Sequence, residues 1–127
     1  MIIAIDFDGT LVEHRYPAIG RIIPFAFETL KALQAKQHQL ILWSYRSGNE
    51  LEDAVVFCRS QGIEFYAVNK NYPEEVWNEL DSRKILADIY IDDRNLGGLP
   101  SWGEIYLLIC PEEDKTAIKA SKPWWKK

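Results

Sequence analysis

The chain has 127 residues, 47% of them apolar and 27% charged, with a formal net charge of −4. This is the size and balance of one ordinary globular domain, able to bury roughly two-thirds of its unfolded surface. A negative balance argues against a general nucleic-acid binder, and no apolar run is long enough to span a bilayer. An aspartate at position 6 also leaves no room for the apolar region of a signal peptide, so a cytoplasmic protein with no membrane partner is expected. Cys58 and Cys110 have neither metal-ligand spacing nor a disulfide framework, and read as buried free thiols in a reducing compartment.

Apolar runs alternate with helical patterns along the whole chain, which predicts one α/β domain over residues 1–127 with a parallel sheet and crossover helices. The first strand is Ile2–Ile5, followed by a helix over Phe25–Lys36 with Ala26, Leu30 and Leu33 on one stripe. A second strand covers Gln39–Trp43. The clearest helix is Asn49–Gln61, where Leu51, Ala54, Val55 and Cys58 recur at helical spacing and Gly62 supplies the stop. Glu64–Val68 reads as a third strand, and Pro73 at a first helical position opens a helix over Glu74–Leu80. Asp88–Ile91 and Glu104–Ile109 complete a five-stranded set, with a short helix over Thr116–Ala120.

The strand ends carry the chemistry. In an open parallel sheet, ligands bind beyond the carboxyl ends of the strands, and here those ends deliver Asp6, Ser44, Asn69 and the pair Asp92-Asp93. Asp6 and Asp8 stand two positions apart after the first strand, so both can look into one site. Two buried anions need a cation or a proton to settle them. Magnesium, which takes hard oxygen ligands, is the simplest answer, with Asp6, Asp92 and a carbonyl near Asp8 as the protein's share of its shell. A carboxylate can attack phosphorus to form an aspartyl-phosphate, which makes Asp6 a candidate nucleophile and Asp8 a candidate acid/base. Ser44 can donate to a phosphoryl oxygen, and Lys84 can offset its charge. Gly9 permits close backbone approach, and its amide with that of Thr10 can donate to phosphate.

Asp6-Phe7-Asp8-Gly9-Thr10 resembles the first motif of the haloacid dehalogenase superfamily of phosphohydrolases. Leu42-Trp43-Ser44-Tyr45-Arg46 looks like its second motif, and Tyr90-Ile91-Asp92-Asp93-Arg94-Asn95 like its fourth, the metal-binding acidic pair. The resemblance covers the chain to about Ile109. It implies a Rossmann-like three-layer sandwich with helices on both faces of a five-stranded sheet. It also implies Asp6 as nucleophile, Asp8 as acid/base, Ser44 as phosphate ligand, and Mg2+ held by Asp6, Asp8, Asp92 and Asp93. Lys84 fits the third motif best, with Lys70 as competitor. The segments 12–24 and 66–84 are too short for a cap domain, so the resemblance implies an open site that takes bulky substrates or is covered by a neighbouring subunit of a homo-oligomer. The expected activity is magnesium-dependent phosphomonoester hydrolysis, or transfer through the same intermediate.

Plainer readings compete at several positions. Arg46 and Arg94 are surface or ion-pair arginines, with Arg46 alternatively a substrate contact. His14, Arg15 and Arg21 could flank the entrance. Asn69 is a loop-capping amide or a ligand contact. Trp77 packs on a helix face or forms a substrate platform, and Trp124-Trp125 pack on this chain or a neighbour. A receiver domain would place its acidic pair after the first strand, whereas here the pair follows the fourth. A scaffold that has lost catalysis would be expected to lack a motif acid, and none is replaced.

Overall fold

The structure, a computed structural model, describes residues 1–113. Four strands pair in parallel: β1 (Ile2–Ile5), β2 (Gln39–Leu42), β3 (Ala67–Val68) and β4 (Ile89–Ile91). Their order across the sheet is β3-β2-β1-β4. β1 is central, with Ile3 opposite both Leu40 and Ile89, and Ile5 opposite Leu42 and Ile91. Both faces of such a sheet must be covered, which is why its strands are nearly all Ile, Leu, Val and Ala.

The period of two assigns the faces. Ile3, Ile5, Leu40, Leu42 and Ile91 join one core cluster with residues of all three helices: α1 (Ala26–Ala35), α2 (Gly48–Ser60) and α3 (Trp102–Ile109). Ala4, Ile41 and Ala67 face the other way and pack under Ile85, Trp43, Ala87 and Tyr90. Among the described residues the helices therefore lie on one face, and an irregular segment covers the other. This differs from the expected three layers with helices on both faces.

The first two helices match their expected positions closely. Gly62, at φ +88°, closes α2 as expected, its amide bonding to the Arg59 carbonyl and that of Ile63 to the Cys58 carbonyl. Cys58 and Cys110 are both free and buried, and burial pushes the Cys58 thiol up to about 12.

Two expected elements are overturned. The expected strand Glu104–Ile109 is the body of α3, so the described sheet has four strands and not five. Ser101 caps that helix, its Oγ accepting from the Glu104 amide at 3.3 Å and meeting the Glu104 carboxylate at 3.2 Å. Ser101-x-x-Glu104 has the residue pattern of a capping box, with the carboxylate bonded to the Ser101 hydroxyl and not to its amide, a signal present in the sequence but outweighed by the apolar run that follows it. The expected helix Glu74–Leu80 is not formed. Asn71 instead binds the Glu75 carboxylate and accepts from the Leu86 amide, tying the two ends of an irregular crossover. The expected helix at Thr116–Ala120 and the Trp124-Trp125 pair lie outside the described residues. No helix among the described residues is long and apolar enough to cross a membrane.

Candidate functional site: an acid cluster at the carboxyl edge of the sheet

β1 ends at Asp6, whose amide still bonds to the Ile91 carbonyl, so the ends of β1 and β4 stay side by side. The chain then turns sharply, with the Phe7 carbonyl accepting from the amides of Thr10, Leu11 and Val12. Asp92 and Asp93 follow β4 directly. This juxtaposition brings carboxylate oxygens of Asp6, Asp92 and Asp93 within 4.8 Å of one another.

Thr10 couples the two acidic segments. It is fully buried, and its hydroxyl donates to Asp6 at 3.1 Å while accepting from the Asp93 amide at 3.0 Å. Its carbonyl accepts from the indole of buried Trp102 at 2.9 Å, which anchors the turn to α3. Gly9, at φ +83°, lies beneath Asp93: a Cβ there would meet the Asp93 Oδ2 and come 2.7 Å from its Cγ. Gly9→Ala should therefore cost about 1–3 kcal/mol from left-handed strain and displacement of Asp93. If the cluster holds magnesium, the substitution should also shrink any rise in melting temperature on adding the ion. A variant with the parent's magnesium response would remove Asp93 from the ligand set.

Burial, then the charge of Asp92 and the hydrogen bond with Asp93, push the Asp6 carboxyl up to about 7. The Thr10 hydroxyl and the Phe7 amide pull the other way, by hydrogen-bonding the charged form. Three hard oxygen donors with this mutual repulsion fit a divalent cation such as Mg2+.

The Asp8 carboxylate, expected as a further ligand, turns instead to Arg46. The guanidinium binds it through Nε–Oδ2 and Nη2–Oδ1, both at 2.8 Å. The remaining N–H groups of Arg46 donate to the carbonyls of Pro17, Ala18 and Glu50. All five donors of the fork are spent. The side chain is 0% exposed, and its charge lies over the rings of Phe7 and Tyr16 at 5.0 and 5.2 Å. The Asp8 hydrogen bonds hold the guanidinium above its ordinary value. Arg46 is thus an internal anchor, which corrects its reading as a substrate contact.

Other expectations are corrected in the same way. The Gly9 amide donates to the Val12 carbonyl and that of Thr10 to the Phe7 carbonyl, so neither is directed at a phosphate. Asn69, at φ +54°, accepts from the Ser44 amide at 2.7 Å, as the loop-capping reading expects, and it also lines the cleft over this edge. Ser44 Oγ accepts from the Arg46 amide at 3.1 Å.

An open cleft of about 820 Å³ lies over this edge, and Asp6, Asp8, Ser44, Asp92, His14 and Arg94 all line it. Lys84 and Lys70 are not among its walls, and the Lys84 ammonium sits 5.1 Å over the Tyr90 ring. The basic wall residue from that segment is Arg83, one position before Lys84. The spacing identifies only a neighbourhood, and an irregular crossover lets adjacent side chains take opposite directions. Tyr16, Trp43, Tyr45 and Trp77 supply the cleft's aromatic walls.

The chain is thus an α/β protein with a parallel sheet and a carboxylate cluster at the carboxyl edge of that sheet. The chain is 56% identical to a conserved protein of solved structure from Bacteroides thetaiotaomicron, over 95% of this chain and 98% of that one, with a TM-score of 0.84. It belongs to the family of that protein. No protein-family model and no curated protein matches the chain.

Proposed function

We propose that the protein is a magnesium-dependent phosphomonoesterase of the haloacid dehalogenase type, with a Rossmann-like core and Asp6 as nucleophile. The observation that carries this reading is the convergence of Asp6 with Asp92 and Asp93, residues more than eighty positions apart, within 4.8 Å at the carboxyl edge of the sheet. The sequence Asp6-Phe7-Asp8-Gly9-Thr10 adds the resemblance that ties such a cluster to phosphate chemistry.

Asp6, Asp92 and Asp93 would hold the ion, which supplies charge neutralisation for a phosphoryl group and for the cluster itself. One Asp6 oxygen attacks phosphorus as the bond to the leaving oxygen breaks. Asp8, paired as a carboxylate with Arg46, has to take up a proton before it can give one to that oxygen, and then accepts one from the water that cleaves the aspartyl-phosphate and regenerates Asp6. Arg46 orients Asp8 for both transfers, and one of the two hydrogen bonds between them must open for the proton to pass. Ser44 donates its hydroxyl hydrogen to a phosphoryl oxygen, while Arg83 and Arg94 on the cleft wall offset the charge of the incoming dianion.

A panel of phosphomonoesters assayed with magnesium and again with a chelator tests the reading. Release of inorganic phosphate should depend on the metal. Absence of release from every member would overturn it.

A further inference from the structure

The side chains around the acid cluster say more about the substrate than the cluster does. Four aromatic residues, Tyr16, Trp43, Tyr45 and Trp77, share the cleft with Asp6. Tyr45 is 94% exposed, and Tyr16 and Trp77 are each 45% exposed. Isolated exposed apolar residues are ordinary, but several gathered around one polar centre mark a ligand surface.

Two of these rings are held in place. The Arg83 guanidinium lies 4.9 Å over the Trp77 ring, and that of Arg46 lies 5.2 Å over Tyr16. Each ring thus has one face covered by a cation, a contact that orients a side chain otherwise free to rotate. Trp43 is packed against the sheet beside Ile41 and Ile85, while Tyr45 stands clear of it. The cleft combines the acid cluster, aromatic rings on its walls, and two arginines, Arg83 and Arg94, beside them.

Building on the hydrolase reading, we infer that the substrate is a nucleoside monophosphate, its base stacked on the aromatic walls while its phosphate meets Asp6. A planar base has a π face for each such ring, and stacking of this kind is sequence-tolerant and substantial. A sugar phosphate without a base has no planar face to match these rings, although His14, Asn69, Arg83 and Arg94 on the walls could still bond its hydroxyls, so the comparison of the two ligands is the decisive one. A polynucleotide would be favoured by a continuous basic track, which the net charge of −4 does not suggest. The reaction consumes one water: the phosphorus–oxygen bond to the nucleoside breaks, the nucleoside oxygen gains a proton, and inorganic phosphate leaves with the water oxygen.

Binding separates this inference from the catalytic reading. Calorimetric titration of the Asp6→Asn protein, in magnesium, compares adenosine 5′-monophosphate with ribose 5-phosphate and a 5′-phosphorylated oligonucleotide. The mononucleotide should bind at least about tenfold tighter than ribose 5-phosphate, the increment expected of one base stack. Trp77→Ala and Tyr45→Ala on the same background should each narrow that ratio, and Tyr45 is exposed enough that its loss leaves the fold intact. In the parent protein the ratio of kcat/KM for the two small substrates should follow the binding ratio. Equal binding of the two, a ratio indifferent to both substitutions, or a clear preference for the oligonucleotide over the mononucleotide would each overturn the inference. Preferential mononucleotide binding without turnover by the parent would uphold the base site and remove the hydrolase.

Discussion

Arg46→Met should be among the most destabilising single substitutions in the chain, costing about 3–5 kcal/mol. The side chain is wholly buried, and its loss strands an Asp8 carboxylate that is only 12% exposed. It also removes the donors to the carbonyls of Pro17, Ala18 and Glu50. A buried acceptor left unpaired costs more than its hydrogen bond contributed when made. Arg46→Lys should recover little, because one ammonium cannot reproduce a fork that reaches four residues. The measurement is the urea midpoint at constant slope, against a total stability of about 5–15 kcal/mol for a domain of this kind. Removing the stranded charge as well, in Asp8→Asn with Arg46→Met, should return part of the loss. A midpoint shift worth under about 1 kcal/mol for Arg46→Met would show that the arginine does not anchor the loop and the carboxylate as argued. The same loop carries His14 and Tyr16 into the cleft.

Asp6→Asn should abolish turnover and yet make the metal-free protein more stable at neutral and alkaline pH. The Asp6 carboxyl is raised from 3.8 to about 7, first by burial and then by Asp92. A group whose folded value lies above its unfolded one favours the fold while protonated. That contribution is fully present below about pH 4 and is lost as the pH rises through about 7. The metal-free parent should therefore lose stability across this window, and the asparagine variant should lose less. Magnesium should restore the parent above pH 7, because the ion replaces the proton as the partner of the cluster. Melting curves between pH 4 and 9, with a chelator and with magnesium, read both effects. A variant that keeps the parent's pH slope and its full magnesium response would place the ion and the charge strain elsewhere. Retained turnover would remove Asp6 from the nucleophile role.

The strands and helices that read well from the chain are those with short-range signals. Ile2–Ile5 ends where an acid and a tight turn begin, and α2 ends where Gly62 supplies positive φ. Two misreadings have a shared cause. Ile105–Ile109 is an apolar run that could serve a buried strand or a buried helix, and only its packing against α1 and the sheet makes it a helix. Glu74–Leu80 has a helix-opening proline, but its side chains find no apolar face to cover. Leu80 is exposed, and the segment's order comes from Asn71 bonding to Glu75 and Leu86. Periodicity cannot anticipate such contacts, because they depend on which surfaces the rest of the chain leaves open.

The acidic character of the strand ends and the nearness of Asp6 to Asp8 are local properties, legible in the residues alone. How those acids divide depends on contacts between distant segments. Strand order sets β4 beside β1, so Asp92 and Asp93 join Asp6, while β2 on the other side delivers Arg46 to claim Asp8. Two carboxylates two residues apart thus have different partners. A buried guanidinium must spend every donor it has, and that demand is met by groups brought together from three separate segments of the chain, at Asp8, at Pro17 and Ala18, and at Glu50.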